Sequence, residues 1–404
     1  MAVQFARRMD YMRASEIREL LKITEDEKVI SFAGGAPAPE LFPIEELSHI
    51  TDQVLKEAGK QALQYGPTEG YQPLREKIAS RMNLKFKTNF SAENILITSG
   101  SQQGLDFSGK IFLNEDDVVL CEKPMYLAAI NAFRAYLPRF VEVPTDENGM
   151  IIEELEHLLQ TTDRVKLIYI VPDFQNPTGI SWSWERKEQF MKVINQYDIP
   201  VVEDNPYSEL IFEGELLPSV KSLDLKGQVI YLGTFSKTFC PGLRIGWVAA
   251  ETNILDKYIL VKQSADLHTS TLSQRKIAKY MDIYDFDANI EKIKTTYKKR
   301  RDVMIQTMEQ DFPSEIKFTH PRGGLFIWVK LPDSINSRDV LAKSLTEKVA
   351  FVPGGAFYPN ERVENTMRLN FSNMPEEKII EGIKRLAGIL HGFINDSTFA
   401  ARNR

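Results

Sequence analysis

The chain reads as an α/β protein: a mostly parallel sheet covered on both faces by helices, followed by a smaller α/β unit. Two observations predict this. Between about residues 91 and 250, short apolar runs alternate with helix-length segments, the pattern of strands buried on both faces. From about residue 290 onward, a long charged helical stretch is followed by strand-like and helical segments in turn.

In chain order, the N-terminal stretch MAVQFARRMDYMRASEIRELL is amphipathic, with Ile17, Leu20 and Leu21 on one face. It and the loop 32–37 (FAGGAP) are expected to pack against the smaller unit. Strands are expected at 94–98 (NILIT), 118–120 (VVL), 167–171 (LIYIV), 200–203 (PVVE) and 229–232 (VIYL). In parallel sheets ligands gather at the carboxyl ends of the strands, and those ends are where this chain places its polar residues. Further on, a helix is expected over 290–308, a strand over 324–329, a helix near 337–347 and a strand over 367–371. The expected divisions are an N-terminal helix and arm (1–44), a large domain (45–288) and a small C-terminal domain (289–404).

The bulk composition excludes several classes of function. The 404 residues suffice for about two to three domains. A net charge of −6 leaves no electrostatic footprint for nucleic acid or an anionic membrane. The most basic stretch, 292–301 (KIKTTYKKRR), reads as the solvated face of a helix. Cys121 and Cys240 are the only cysteines, so no disulfide framework exists and a reducing compartment is expected. The N-terminus lacks an apolar signal core, and Asp10, Glu16 and Glu19 argue against a transit peptide. No window is long and apolar enough to span a bilayer. A cytoplasmic protein is expected. The five histidines show no metal-ligand spacing, so no metal is expected.

The residue on which the chemistry turns is Lys237, in GTFSKTFCPGLRIGW (233–247). It follows the run 229–232 and small, hydroxylated residues, and Arg244 lies seven positions on, behind Pro241 and Gly242. An amine at a strand end, with hydroxyl and guanidinium donors beside it for a phosphate, is what a pyridoxal 5′-phosphate site needs. Three other segments supply the rest. In 173–179 (DFQNPTG), Asn176 stands at a strand end and can hydrogen-bond an oxygen such as the cofactor's 3′ phenolate; by itself the segment is equally a turn. In 201–207 (VVEDNPY), Asp204 ends an apolar strand. A buried carboxylate there needs a cationic partner, and a protonated pyridine nitrogen is one; the alternative is a helix N-cap. Tyr207 can donate to the 3′ oxygen beside Asn176. In 98–104 (TSGSQQG), small residues between a strand and a helix free backbone N–H groups for an anion. Nearby, 104–110 (GLDFSGK) matches the first part of a phosphate-loop pattern, but Ile111 replaces the required Ser or Thr and the apolar spacing is that of a helix interior. Tyr126 can stack on the pyridine face, or can pack in the core.

Taken together, SGSQQ, PMY (124–126), NPTG (176–179), EDNPY (203–207), SKTFCPGLRIG (236–246) and MRLNFS (367–372) resemble the fold-type I pyridoxal-phosphate enzymes of the class I/II aminotransferase family. Within it the chain is most similar to the 2-aminoadipate and kynurenine aminotransferase II group, which shares stretches like 14–22 (ASEIRELLK) and 31–40 (SFAGGAPAPE). The resemblance implies a large domain with a mostly parallel seven-stranded sheet plus a smaller α/β domain. It implies that Lys237 carries the cofactor and moves the proton between Cα and C4′, that Asp204 pairs with the pyridine nitrogen, and that Asn176 and Tyr207 meet the 3′ oxygen. Tyr126 stacks on the ring, while Ser101, Gln102, Ser236 and Arg244 hold the phosphate. Arg368 grips the substrate carboxylate, as a planar bidentate partner should. Tyr65 reaches the phosphate of a neighbouring subunit, making an obligate homodimer.

The implied activity moves the amino group of an L-amino acid of 2-aminoadipate, glutamate, leucine or aromatic type to a 2-oxo acid such as 2-oxoglutarate, by a ping-pong route in amino-acid metabolism. Ser15, Arg18 and Gly35 match positions that contact the substrate side chain, with Arg18 suited to a distal carboxylate. Ala36, beside Gly35, departs from the larger apolar residue of relatives. Two alternatives are a β-lyase or decarboxylase using the same cofactor, and a pyridoxal-phosphate-binding transcription regulator. The second would need an N-terminal helix-turn-helix unit with a basic surface.

Overall fold

The computed structural model describes residues 3–12, 20, 28–360 and 363–402. Its first part runs β1 (Ile30–Ser31), α1 (Ile44–Ala62), α2 (Gln72–Phe86), β2 (Ile95–Thr98), α3 (Ser101–Phe112), β3 (Val118–Lys123) and α4 (Leu127–Arg134). There follow β4 (Arg139–Asp146), β5 (Gly149–Met150), α5 (Ile152–Thr161), β6 (Val165–Ile170), α6 (Trp184–Ile194), β7 (Val201–Asp204), β8 (Val229–Thr234) and β9 (Gly246–Ala249). Then come α7 (Thr252–Ala265), α8 (Thr271–Ile283) and the long α9 (Phe286–Asp311). The remainder is β10 (Lys317–Phe318), β11 (Phe326–Lys330), α10 (Ser337–Thr346), β12 (Val349–Ala350), β13 (Val352–Pro353), β14 (Thr366–Asn370) and α11 (Glu376–Arg402).

The large sheet has the order β2-β9-β8-β7-β6-β3-β4-β5. The two-residue β5 extends the expected seven strands at one edge. Pairings across β8, β7, β6, β3 and β4 are parallel, while β9 lies antiparallel between β2 and β8. The carboxyl ends of β2, β6, β7 and β8 therefore share one edge. Alternation of side chains splits the strands between two cores. Val119, Tyr169, Val202 and Ile230 pack with Phe107, Phe133 and Tyr258 of α3, α4 and α7. Val118, Ile168, Val201 and Val229 face Leu155, Phe190 and Ile194 of α5 and α6. With both faces covered, the strands are mainly apolar along their length, which is why their runs stood out.

Side chains cap some of the helix starts. Ser183 accepts from Arg186 N (3.1 Å) at α6 and Asp285 accepts from Ala288 N (2.9 Å) at α9, each satisfying an N–H that the helix leaves unpaired. The phosphate-loop look-alike lies inside α3, where a side chain at Gly104 would come within 2.9 Å of Leu232. That glycine serves close helix-to-sheet packing.

The smaller sheet, β10-β11-β14-β13, is antiparallel. Tyr297, Met304 and Met308 of α9 and Ile379, Ile383 and Leu386 of α11 cover it. Helix α9 bridges the two parts: Phe286 and Ile290 pack with the large sheet, and Ile293 onward with the small one. The parallel β1–β12 pair ties the segment after residue 28 to the small unit. Three strands of the large sheet did not announce themselves. β4 is a partly exposed, charged strand interrupted by Pro144, β5 has two residues, and β9 is only four residues long.

Candidate active site

The shared strand edge opens into a cavity of about 330 Å³. Each wall comes from a loop that leaves a strand. From the exit of β8 come Thr234, Ser236 and Lys237; from β7, Asp204 and Tyr207; from β6, Asn176; from β2, Ser101 and Gln102. Tyr126 after β3 and Arg244 before β9 complete it.

Asp204 sits at the floor, almost wholly buried. Its two carboxylate oxygens differ. Oδ2 accepts a hydrogen bond from Tyr169 Oη at 2.9 Å, whereas Oδ1 is buried without a partner. Desolvation pushes the Asp204 carboxyl up to about 7, with the Tyr169 hydrogen bond pulling the other way. A cationic ring nitrogen at Oδ1 would supply the missing partner. Tyr169 was not singled out from the sequence. Its only signal was a polar-tipped ring within an aliphatic strand next to the one bearing Asp204.

Asn176 Nδ2 donates to Tyr207 Oη at 3.4 Å, so the two polar tips meet at one point. Beneath them a buried Lys187–Asp173 pair (2.8 Å) also takes Asn205 Nδ2 (2.9 Å) on the same carboxylate. The loops after β6 and β7 are thereby tied together. Tyr126 is pushed up to about 12 by desolvation and by Asp204, which keeps it a neutral ring.

Lys237 Nζ donates to Gly35 O at 2.8 Å. Desolvation, then the charges of Arg368 and Arg244, pull its amine down to about 8. A lowered ammonium pKa means the neutral, nucleophilic form appears at lower pH. Near pH 8 about half of Lys237 is neutral, against roughly one part in three hundred for an unperturbed lysine. Labelling of the cofactor-free chain by an amine-acylating reagent, followed by peptide mass spectrometry, should rise at Lys237 with a midpoint near 8. A curve that rises only above pH 10 would refute this environment.

Arg368 of β14 is fully buried. It donates from Nη1 to Asn176 Oδ1 (2.7 Å) and from Nη2 to Ala33 O (2.6 Å), and its guanidinium lies 4.2 Å from the Phe326 ring centre and 5.2 Å from that of Phe357. Its Nε is buried without a partner. Desolvation lowers its pKa to about 10, still far above neutrality, so the charge stays. The loop 32–37 is stitched over this group by Asn370 N to Phe32 O (2.9 Å) and Ser372 Oγ to Ala36 O (2.9 Å). Gly35 belongs to this loop, and a side chain there would meet Phe326 at 3.1 Å.

At the opposite wall, Arg244 Nη2 donates to Ser99 O at 3.1 Å. Gly100, with φ +80°, turns the chain into α3, and any side chain there would stand 2.3 Å from Arg244 Nη2. The N-terminal N–H groups of α3, the Ser101 and Ser236 hydroxyls and the Arg244 guanidinium form a donor-rich cup suited to an anion. Thr234, whose Oγ1 donates to Ser236 Oγ (2.9 Å), is a further lining residue the sequence reading omitted. An unpartnered carboxylate oxygen, paired polar tips, a low-pKa amine and an anion cup together fit pyridoxal phosphate. Among the described residues, no three His, Cys, Asp or Glu side chains cluster as metal ligands would.

Tyr65 does not reach this chain's own cavity. It is 78% exposed and meets His268 edge-on at 5.7 Å between ring centres. Ser15 and Arg18 lie outside the described residues.

A family model, aminotransferase class I and II, matches residues 27–386. The chain is 48% identical over 380 residues to aromatic-amino-acid aminotransferase 1 of Thermococcus litoralis, covering 93% of this chain and 91% of that one. A crystal structure of Pyrococcus horikoshii kynurenine aminotransferase in complex with PMP superimposes with a TM-score of 0.92 at 43% identity, covering 96% of this chain and 97% of that one. The α-aminoadipate aminotransferase of Thermus thermophilus, complexed with N-(5′-phosphopyridoxyl)-L-leucine, gives a TM-score of 0.90 at 39% identity, with 97% and 98% covered.

Proposed function

The chain belongs to the class I and II aminotransferases, and from that premise we propose which of its residues carry out amino transfer and on which substrates. It is a fold-type I aminotransferase that uses pyridoxal phosphate. When bound, the cofactor supplies an electrophilic carbonyl that takes up an amine and a ring that draws electrons from the Cα–H bond.

The protein's own part is binding, orientation and proton movement. Arg368 grips the α-carboxylate of the amino acid; the observation that carries this is its fully buried guanidinium, wedged between two aromatic rings with Nε unsatisfied. A buried cation kept at such cost needs an anionic visitor. Asn176, already bonded to Arg368, orients that carboxylate and, with Tyr207, the 3′ oxygen. Lys237 Nζ takes the proton from Cα and returns it at C4′, the transfer suited to an amine whose pKa lies near 8. Asp204 Oδ1 pairs with the ring nitrogen and holds its proton. Tyr126 covers the ring. Ser101, Gln102, Ser236 and Arg244 hold the phosphate, and the loop bearing Gly35 excludes water.

The amino donor is an L-amino acid of 2-aminoadipate, glutamate, leucine or aromatic type, and the acceptor a 2-oxo acid such as 2-oxoglutarate. The activities named for the relatives support this breadth. Ser15 and Arg18 contact the donor side chain, Arg18 meeting a distal carboxylate. A homodimer in which Tyr65 reaches the partner's phosphate site is supported by the exposure of Tyr65 and Leu63. The split into 1–44, 45–288 and 289–404 is supported by the change of packing partner along α9. A cytoplasmic site of action fits the absence, among described residues, of a helix able to cross a membrane.

The test is a half-reaction screen: purified enzyme is mixed with single amino acids while absorbance follows the bound cofactor from its aldehyde-derived to its amine form. Conversion by glutamate or 2-aminoadipate supports the donor class. Conversion by leucine and aromatic residues alone would remove Arg18 from its role. Arg368→Lys keeps the charge but loses the planar fork. It should raise KM for the donor by about 100-fold with a smaller effect on kcat, and an unchanged KM would reassign the carboxylate anchor.

A further inference from the structure

Beside the anion cup lies a charged cluster, built on one buried ammonium, that takes no part in the chemistry above. Lys262, near the end of α7, is completely buried. Its Nζ donates to Gln103 Oε1 (2.9 Å), to Asp266 Oδ1 (2.9 Å) and Oδ2 (3.1 Å), and to Thr269 Oγ1 (2.9 Å). Three partner residues thus take up the three protons of the ammonium. Gln103 sits in the first turn of α3, directly after Ser101 and Gln102. Its Oε1 also accepts from Ser99 N (2.9 Å), and its Nε2 donates to Asp266 Oδ2 (2.8 Å). Ser99 Oγ donates to that same Oδ2 at 3.1 Å.

Ser99 is therefore held at both its amide and its hydroxyl. Its remaining backbone group, the carbonyl, is the acceptor for Arg244 Nη2. A continuous set of bonds runs from Lys262 through Gln103 and Asp266 to Ser99, and from Ser99 to the guanidinium at the cup. Burying an ammonium costs several kcal/mol before its partners are counted, and an apolar side chain would pack α7 without that cost. What the charge adds is direction, because two of its partners, Gln103 and Asp266, hold the loop entering α3 at Ser99.

We propose that Lys262, acting through Gln103 and Asp266, is a positioning residue for the phosphate cup: it fixes the Ser99 carbonyl that aims Arg244 and orients the N–H groups at the start of α3. This rests on the reading of Ser101, Gln102 and Arg244 as phosphate holders. The role is specific to the phosphate end of the cofactor and leaves the ring end, around Asp204 and Asn176, untouched.

The full-length chain, stripped of cofactor, is titrated with pyridoxal phosphate and separately with pyridoxal, which has the ring and aldehyde but no phosphate. Lys262→Met should weaken pyridoxal phosphate binding by about tenfold or more and change pyridoxal binding by less than about twofold. Gln103→Met breaks the same chain while leaving the Lys262–Asp266 pair intact, and should show the same selectivity even if Lys262→Met folds poorly. Equal weakening of both ligands would mean general loosening and overturn the proposal, as would no change in either. If the wild-type chain binds neither ligand, the cofactor reading fails and this proposal falls with it.

Discussion

Replacing Lys237 with alanine should abolish turnover, lowering kcat by at least about 10⁴-fold, while leaving the fold intact. Two losses combine. The proton carrier between Cα and C4′ disappears, a contribution of about 10²- to 10⁴-fold by itself. The covalent tether that splits one hard step into easier ones disappears with it. Stability should not suffer, because Lys237 is held by one hydrogen bond, to Gly35 O, and its amine is destabilised as a cation by desolvation and two guanidinium neighbours. The measurement is single-turnover conversion with glutamate or an aromatic donor, alongside thermal unfolding. Turnover within tenfold of wild type would remove Lys237 from the chemistry. Loss of activity together with a collapse in Tm would make the residue structural.

Asp204→Asn should move activity and stability in opposite directions. An amide keeps an acceptor for Tyr169 but cannot hold a proton on the ring nitrogen. The rate should fall by about 10²- to 10³-fold, as for loss of one preorganised electrostatic partner. In the cofactor-free chain the same change relieves a penalty. The folded carboxyl titrates near 7, above its unfolded value of 3.8, so between those values the folded state binds more protons and stability falls as pH rises. The penalty is absent below the unfolded value, grows through that window and is complete above about 7, where it amounts to at most about 4 kcal/mol. The cofactor-free Asn variant should therefore melt above wild type at pH 8, by up to about 10 °C at roughly 2 to 4 °C per kcal/mol, and match it near pH 4. An equal Tm at both pH values would mean that Asp204 is already paired in the empty site. This is the familiar tension between a functional site and the stability of its scaffold.

The strand-end residues were legible from local sequence alone. Asp204, Asn176 and Lys237 each terminate or follow an apolar run, and in a parallel sheet every such run delivers its end to one edge. Covered on both faces, these strands also could not hide among polar residues. The less regular strands escaped for the same reason reversed: β4 is partly exposed and carries Pro144, so it has no unbroken apolar run.

What the sequence by itself determined was the alternation of strand and helix, hence the α/β class, the shared edge and the residue types gathered on it. Only the tertiary structure decided which atoms meet. The difference between Asp204 Oδ1 and Oδ2 depends on Tyr169 of the adjacent strand. The wedge around Arg368 depends on Phe326 and Phe357, from strand and loop segments far apart in the chain. The Lys262 network joins α7 to the loop before α3 across more than 150 positions. Local sequence carries propensity and period, which act over a few residues, whereas burial and hydrogen-bond satisfaction are set by whatever packs alongside in space. The pKa values of Lys237 and Asp204 belong to that second class, since desolvation by distant segments is their largest cause.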